Sequence, residues 1–146
     1  MEQSKRFGYK LKLYEKAIKG FDSSLRIETS SFSEEVVDVI KNGRIQKFEY
    51  CAELTWKIIK SFLYIFHNID TASPRETIKE FFLIKAVSDS DFNTLISMLD
   101  DRNKLSHIYK EEFFEEIHIS LPVYFEVMKR TMNVLKGSLG DLKSEG

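Results

Sequence analysis

Apolar side chains recur every three or four positions along most of this sequence, the spacing that places them on one side of an α-helix. Alternating, strand-like patterns are scarce, and two prolines and six glycines leave few positions that would interrupt a helix. The first apolar-periodic segment, residues 4–27, carries one unbroken stripe: Phe7, Leu11, Tyr14, Ile18, Phe21 and Leu25. The pattern predicts an all-α chain, an antiparallel up-and-down bundle of four to five helices joined by short links.

A length of 146 residues and an apolar content of 42% fit one domain over residues 1–146, with residues 136–146 predicted to be a frayed tail. No signal-like segment opens the sequence, and no apolar run approaches the roughly 18 residues that a membrane span needs. We therefore expect a soluble, cytoplasmic protein that does not bind membranes. The single cysteine, Cys51, lies in an apolar-periodic segment and is expected to be a buried, inert thiol.

The second predicted helix begins at Ser33, which is followed by acidic residues typical of a first helical turn. Asn42-Gly43 could interrupt it. From Arg44 onward two adjacent apolar lines form a wide arc: Ile45, Phe48, Ala52, Thr55, Ile59, Phe62 and Phe66, beside Cys51, Leu54, Ile58 and Ile65. So wide an arc is typical of a helix that is central to a bundle or shared with another subunit.

Ser73-Pro74-Arg75-Glu76 combines an N-cap serine, a proline at the first helical position and a glutamate at the third. A third helix should begin there and run to about Ala86. Asp89-Ser90-Asp91 then begins a fourth helix. The last long segment also has helical apolar spacing but contains Pro122, which predicts a kink or a break near residues 118–121.

The net charge of −1 excludes a molecule that binds nucleic acid through overall positive charge, so any such contact must be local. The first 26 residues hold seven Lys and Arg against three Asp and Glu. Four of these cations form a stripe beside the apolar one: Lys5, Lys12, Lys16 and Lys19. Two interpretations remain open, a solvated face and a surface that faces phosphates.

The apolar line of the fourth predicted helix becomes polar at Arg102 and continues through Asn103, Ser106 and Tyr109. An arginine and an asparagine on a buried line cost free energy unless they are paired or face a wet cleft, so a functional site is expected there. On a straight helix His107 lies about 40° from Asn103 but roughly 140° from Arg102. Either the helix frays or bends, or two copies of the chain combine these side chains.

Other chemistries find little support in the pattern. The three histidines lack the spacing of metal ligands and no glycine-rich phosphate loop is present, so no metal or cofactor is expected. Asp89-Ser90-Asp91 resembles the paired carboxylates of a nucleotidyltransferase, but no Gly-Ser turn precedes it and helix capping explains it better. A histidine near a helix end is often an ordinary capping or core residue, which is the structural interpretation of His107.

The stretch from Arg102 to Tyr109 matches the signature of HEPN domains, an arginine, a four-to-six-residue spacer beginning with asparagine, and His-x-Tyr. Further stretches support the match: Asn42–Tyr50 with Glu53–Lys57, Ser73–Glu76, and Met98–Asn103. In this order and spacing, over about residues 5–136, the sequence resembles the nucleotidyltransferase substrate-binding branch of the HEPN group.

This resemblance implies an antiparallel HEPN-like helical bundle that forms a homodimer within a hetero-oligomer, together with a separate minimal nucleotidyltransferase. Many such pairs are toxin–antitoxin systems in which the HEPN subunit is a metal-independent endoribonuclease acting on RNA. The partner silences it by attaching AMP to the motif tyrosine, here Tyr109. The resemblance assigns catalysis to Arg102, Asn103 and His107. After Tyr109 the chain departs from the family pattern, since Lys110-Glu111-Glu112 stands where members often have Asp or a similar cap.

Two functions of different classes follow. As an endoribonuclease, the protein would use His107 as general acid or base and Arg102 to stabilise charge on the phosphate, with Asn103 orienting one of them. As a non-catalytic substrate-binding or scaffold subunit, it would present a nucleotide, or Tyr109 itself, to the nucleotidyltransferase. In that case the wide apolar arc and the basic stripe would be interfaces.

Overall fold

The computed structural model describes the backbone of residues 2–107 and 110–145, with side chains described for residues 2–107 and 111–141. Five α-helices account for most of this part of the chain, and no strand occurs in it. The helices are α1 (Glu2–Leu25), α2 (Glu34–His67), α3 (Pro74–Leu83), α4 (Asp89–Lys104) and α5 (Lys110–Glu145). The all-α prediction is confirmed.

The four long helices form an up-and-down bundle, because neighbouring helices contact one another in opposite order along the chain. The contacts that show this order are Phe7–Phe62 and Phe21–Phe48 for α1 with α2, Glu15–Lys136 and Phe21–Phe125 for α1 with α5, and Asp91–Arg130 and Asp101–Tyr124 for α4 with α5. The short helix α3 packs against both α2 and α4, through Phe81 on Phe62 and Phe82 on Phe92.

Helix α2 is central, because it contacts all four other helices. Most of its apolar arc is buried in this way, including Ile45, Phe48, Ala52 and Ile59. The arc is thus largely filled within one chain, and the first of its two interpretations is confirmed. Cys51 is fully buried, and burial raises the pKa of its thiol to about 12, as expected of an inert cysteine.

Three serines begin helices as N-caps. The side-chain oxygens of Ser33, Ser73 and Ser88 accept hydrogen bonds from the backbone N–H three residues later. At α3 the Glu76 carboxylate accepts in return from the backbone N–H of Ala72, one residue before the N-cap. The helix starts predicted after Ser33 and at Ser73-Pro74 are confirmed, and the fourth helix begins at Asp89 as expected.

Several boundary predictions are wrong. Helix α2 runs through Asn42-Gly43 without interruption. Helix α5 runs through Pro122 without a break, so the predicted break is wrong, whereas a kink near residues 118–121 stays a prediction. Helix α3 ends at Leu83 rather than Ala86, because Lys85 adopts a left-handed backbone conformation with φ of 64°.

The segment predicted to fray is helical in the structure, since α5 continues to Glu145. Its side chains explain why: Leu135 is fully buried, Leu139 packs against the core, and Lys136 pairs with Glu15 of α1 at 3.0 Å. Tertiary contacts thus hold residues that local sequence signals would release. None of the helices in the described part of the chain has the length and apolar content to cross a membrane.

A buried cation ties the end of α1 to α2. Arg44 donates from Nε to the carbonyl of Ser24 at 2.8 Å and from Nη2 to the carbonyl of Ile27 at 2.9 Å. Its Nη1 lies 3.3 Å from Nε2 of His118 on α5. Burial lowers the pKa of His118, and the positive charges of Arg44 and Lys41 lower it further. One side chain thus satisfies the Ser24 carbonyl, which the end of α1 leaves without a helical partner, and the Ile27 carbonyl of the following link.

The substitution Arg44→Met should lower the free energy of unfolding by about 2–3 kcal/mol, because two carbonyls lose their charged donor. Urea denaturation measures this loss. The matched control is Arg26→Met, which removes an exposed ion pair with Asp22 and should leave the free energy of unfolding close to that of the wild type, because solvent screens this pair. Equal effects of the two substitutions would contradict the structural role of Arg44.

Candidate functional site

The candidate site lies where α4 ends, at Lys104. Beyond it the backbone N–H groups of Leu105, Ser106 and His107 donate to carbonyls three or four residues earlier, at 3.1–3.2 Å. These tight turns carry the chain out of the helix, so His107 follows α4 and is no part of it. The wide angle between Arg102 and His107 on a straight helix left two explanations open, a change in the helix or a combination of two chains. The helix ends before His107, so this angle no longer argues for a dimer.

Arg102 occupies the last turn of α4 and is half-buried. Its Nη2 lies 3.2 Å from Oε2 of Glu53 on α2, while its buried Nε has no hydrogen-bond partner among the described residues. The ion pair offsets the free-energy cost of placing an arginine on the buried line, because the partly buried charge has an opposite charge beside it. An arginine has five N–H donors, so this pairing leaves others free to bind an anion.

Glu53 is held from both sides. Its Oε1 lies 3.2 Å from Nζ of Lys57, one turn further along α2, while the other oxygen faces Arg102. Burial alone would raise the pKa of Glu53, but hydrogen bonds from Trp56 and Lys57 and the charge of Arg102 bring it below its usual value. The carboxylate therefore stays ionised and can orient the guanidinium over the whole neutral range.

The residue before Arg102 fixes α4 to α5. The Tyr124 hydroxyl donates to the Asp101 carboxylate, and burial together with that carboxylate raises the pKa of Tyr124. Lys104 lies 3.7 Å from the other oxygen of Asp101, and its ammonium sits 5.1 Å from the centre of the Phe113 ring, a cation–π contact.

Asp100 completes this arrangement by pairing with Arg75 of α3 at 2.8 Å. Three consecutive side chains, those of Asp100, Asp101 and Arg102, thus contact α3, α5 and α2 in turn. We call them the α4 clamp. The clamp fixes the place where α4 ends and therefore the place where the following residues leave the bundle.

The predicted site residues are distributed around this clamp. The side chains of Asn103 and His107 are exposed, in contrast to that of Arg102. Ser106 donates from its hydroxyl to the Arg102 carbonyl at 3.4 Å, which caps the last turn. Tyr109, the predicted modification site, lies outside the described residues.

The Asp89-Ser90-Asp91 segment forms the first turn of α4 as expected, but the cap is Ser88, one residue before it. The Asp91 carboxylate pairs with Arg130 of α5 at 2.9 Å. Among the side chains described here, no three His, Cys, Asp or Glu residues lie close enough together to share a metal ion.

Comparison with known proteins shows the family of the chain. Residues 9–137 match the model of a family described as nucleotidyltransferase substrate binding protein like. The chain belongs to this nucleotidyltransferase substrate-binding family. A crystal structure of a protein from Thermus thermophilus is similar in fold, with 26% sequence identity and a TM-score of 0.73 over 84% of this chain and 98% of that chain. The comparison with curated proteins gave no match. The family predicted from the sequence is confirmed.

In this member of the nucleotidyltransferase substrate-binding family, sequence reasoning missed Glu53 as a site residue. Glu53 stands 49 positions before Arg102, and nothing in its local pattern distinguishes it from the other carboxylates of α2. Only the packing of α4 against α2 brings the two together. The available signal was indirect, namely that an arginine on a buried line requires a partner.

The Glu53–Arg102 pair should show a measurable coupling in a double-mutant cycle of Glu53→Gln and Arg102→Gln. We expect a coupling free energy of about 1 kcal/mol in urea denaturation, because both groups are partly buried. A matched cycle on the exposed Asp22–Arg26 pair should give a clearly smaller coupling, because solvent screens this pair. A coupling at Glu53–Arg102 no larger than this control would contradict an ion pair that holds Arg102 in place.

Proposed function

We propose that this protein is the HEPN partner subunit of a minimal nucleotidyltransferase and acts as a metal-independent endoribonuclease that AMP attachment at Tyr109 silences. The observation that carries the proposal is the half-buried Arg102, oriented by Glu53 beside the exposed segment that bears His107. Arg102 is a positive group fixed on the bundle, and His107 is an exposed group that can accept or donate a proton. Phosphodiester cleavage needs both kinds of group.

The reaction uses the RNA's own nucleophile. The ribose 2′-oxygen attacks the adjacent phosphorus as its proton leaves, and the bond from phosphorus to the 5′-oxygen of the next nucleotide breaks. The products are a 2′,3′-cyclic phosphate and a 5′-hydroxyl, so no water, metal or oxidant is consumed. His107 accepts the 2′-proton or gives a proton to the leaving 5′-oxygen, and Asn103 orients one of the reacting groups.

Arg102 stabilises the negative charge that builds on the phosphate oxygens during this step. The Glu53 carboxylate keeps the guanidinium oriented without a change in geometry at the moment of reaction, which is the condition for effective electrostatic stabilisation. Lys57 and Lys104 add positive charge on either side of the pair.

The partner nucleotidyltransferase would transfer AMP from ATP to the Tyr109 hydroxyl and release pyrophosphate. Tyr109 follows His107 by two positions, so an added nucleotide there would bring a negative phosphate to the place where RNA phosphate must bind. The proposed assembly is a cytoplasmic hetero-oligomer in which two HEPN chains form a homodimer. Support for the assembly comes from the family resemblance.

The nuclease activity is tested with a single-stranded RNA in the presence of EDTA, with fragments resolved on a denaturing gel. The wild-type chain should cleave, while His107→Ala and Arg102→Ala should each lose about 100-fold or more. Asn103→Ala should lose less, because Asn103 only orients.

The controls for this experiment are His67→Ala and Arg26→Ala, which remove the same residue types from exposed positions away from the α4 clamp. Both should cleave at the wild-type rate. Cleavage that survives in both His107→Ala and Arg102→Ala, or that EDTA abolishes, would contradict the proposal.

The modification is tested by mass spectrometry of the chain co-expressed with its nucleotidyltransferase. One or more AMP groups should be found on Tyr109, and Tyr109→Phe should remain unmodified and active as a nuclease. Tyr9→Phe, at an exposed tyrosine of α1, serves as control and should leave the modification unchanged. An active pair with an unmodified Tyr109 would overturn this mechanism of silencing.

A second function, a non-catalytic substrate-binding subunit, is favoured by one observation. The Glu53 carboxylate already neutralises Arg102, so this guanidinium offers less net charge to a phosphate than a free one would. This alternative predicts a stable complex with the nucleotidyltransferase and no RNA cleavage by any form of the chain.

A further inference from the structure

A row of depressions, together called the α1–α2 groove, runs between α1 and α2, and Lys10 of α1 crosses it by donating to the Ser61 hydroxyl at 3.0 Å. The groove consists of three adjoining depressions of about 380, 380 and 290 Å³, of which the first two share Leu13 and the last two share Lys10, Lys60 and Ser61. Along α1 the groove extends from Gly20 to Gln3, which corresponds to about 26 Å of helix.

The charge of this groove is opposite to that of the whole chain. Six cations line it, namely Arg6, Lys10, Lys16, Lys47, Lys57 and Lys60, against one carboxylate, Asp70, among the described lining residues. The whole chain carries a net charge of −1. Arg6 and Lys60 pair with the exposed carboxylates of Glu2 and Asp70, and such pairs are weak and exchange readily for another anion. Lys60 also donates to the Thr71 carbonyl, and Lys57 pairs with the partly buried Glu53 of the candidate site.

Two exposed tyrosines stand on the α2 side of the groove. Tyr50 and Tyr64 are 60% and 52% exposed, far more than a ring of the bundle core. They are 14 residues apart with Lys57 midway, a spacing that places all three on one face of α2 over about 21 Å. Aromatic rings alternating with cations are the recurring surface of proteins that bind single-stranded nucleic acid.

The groove is continuous with the candidate site. Lys57 lines the groove and contacts Glu53 at 3.2 Å, and Glu53 contacts Arg102 at the same distance. Side-chain contacts through the partly buried Glu53 thus join the groove to the α4 clamp.

We propose that the α1–α2 groove binds single-stranded RNA and leads the strand across α2 to Arg102. Phosphates lie along the lysines, and bases stack on Tyr50 and Tyr64. The destination of the strand rests on the proposed endoribonuclease function, whereas the binding itself rests on the groove alone.

Two other occupants fit less well. A second copy of the chain would bring six cations against six cations if the two grooves faced each other. An acidic protein surface remains as the competing partner, but protein interfaces are depleted in lysine, and five of the six groove cations are lysines. Lysines at intervals along a groove fit the repeating charge of a polynucleotide backbone.

The test measures fluorescence anisotropy of a labelled single-stranded RNA of about 12 nucleotides. The full chain is used with His107→Ala, so that the strand stays intact. Lys10→Glu with Lys47→Glu should weaken binding at least about tenfold and reduce the slope of log affinity against log salt by about 1.4. The matched control, Lys79→Glu with Lys85→Glu, makes the same charge change at exposed positions of and beside α3 and should bind within about twofold of the parent.

A second variant, Tyr50→Ala with Tyr64→Ala, removes the rings and keeps the charge. It should weaken binding about fivefold or more while leaving the salt slope unchanged. Circular dichroism confirms that each variant is folded, and because both tyrosines are exposed, this variant keeps the test valid if the charge reversals unfold the chain.

The outcomes separate this proposal from the proposed function. The groove proposal is overturned if the charge-reversed groove variant and its control bind RNA equally well, or if the parent binds no RNA. This holds even if the wild type cleaves RNA. Loss of binding in both groove variants with no cleavage by the wild type supports the groove and overturns the endoribonuclease. Groove variants that keep RNA but lose the nucleotidyltransferase would show a protein-binding surface instead and overturn the proposal.

Discussion

The α4 clamp is the contact set on which the geometry of the candidate site depends. Asp100, Asp101 and Arg102 are consecutive, and a helix points consecutive side chains in different directions, so each reaches a different neighbour: Arg75 of α3, Tyr124 of α5 and Glu53 of α2. The end of α4 is therefore fixed from three sides. The residues that follow leave the helix from a rigid base, which is the arrangement expected where a loop carries chemistry.

The sequence predicted the parts of the structure that depend on local chemistry. The stripe from Phe7 to Phe21 is buried as its spacing indicates, and the serine caps begin helices where expected. The predicted break at Pro122 failed where packing outweighs a local signal, since α5 continues past that residue. Predictions also failed where a contact joins distant segments. That Arg102 needs a partner could be predicted, but that the partner is Glu53 could not, because the pairing exists only after α2 and α4 pack together.

The ion pair between Arg102 and Glu53 is compatible with both proposed functions of the site. A guanidinium neutralised by Glu53 is stable in the folded chain, yet its remaining donors can still receive a phosphate, so the proposed catalytic and substrate-binding functions share one set of contacts. The lysines of the α1–α2 groove would supply the affinity that this pair does not. In the proposed scheme Arg102 contributes in the transition state and the groove contributes to binding of the strand.

The most direct test of the account is the chemistry of the RNA ends that the wild-type chain produces. If the 2′-hydroxyl is the nucleophile and His107 moves the proton, every new end should be a 2′,3′-cyclic phosphate, or the monophosphate formed by its hydrolysis, opposite a 5′-hydroxyl. Enzymatic end-labelling with mass spectrometry of the fragments distinguishes these ends. Fragments with 5′-phosphates and 3′-hydroxyls would require an attacking water and would contradict the account, as would the absence of any cleavage.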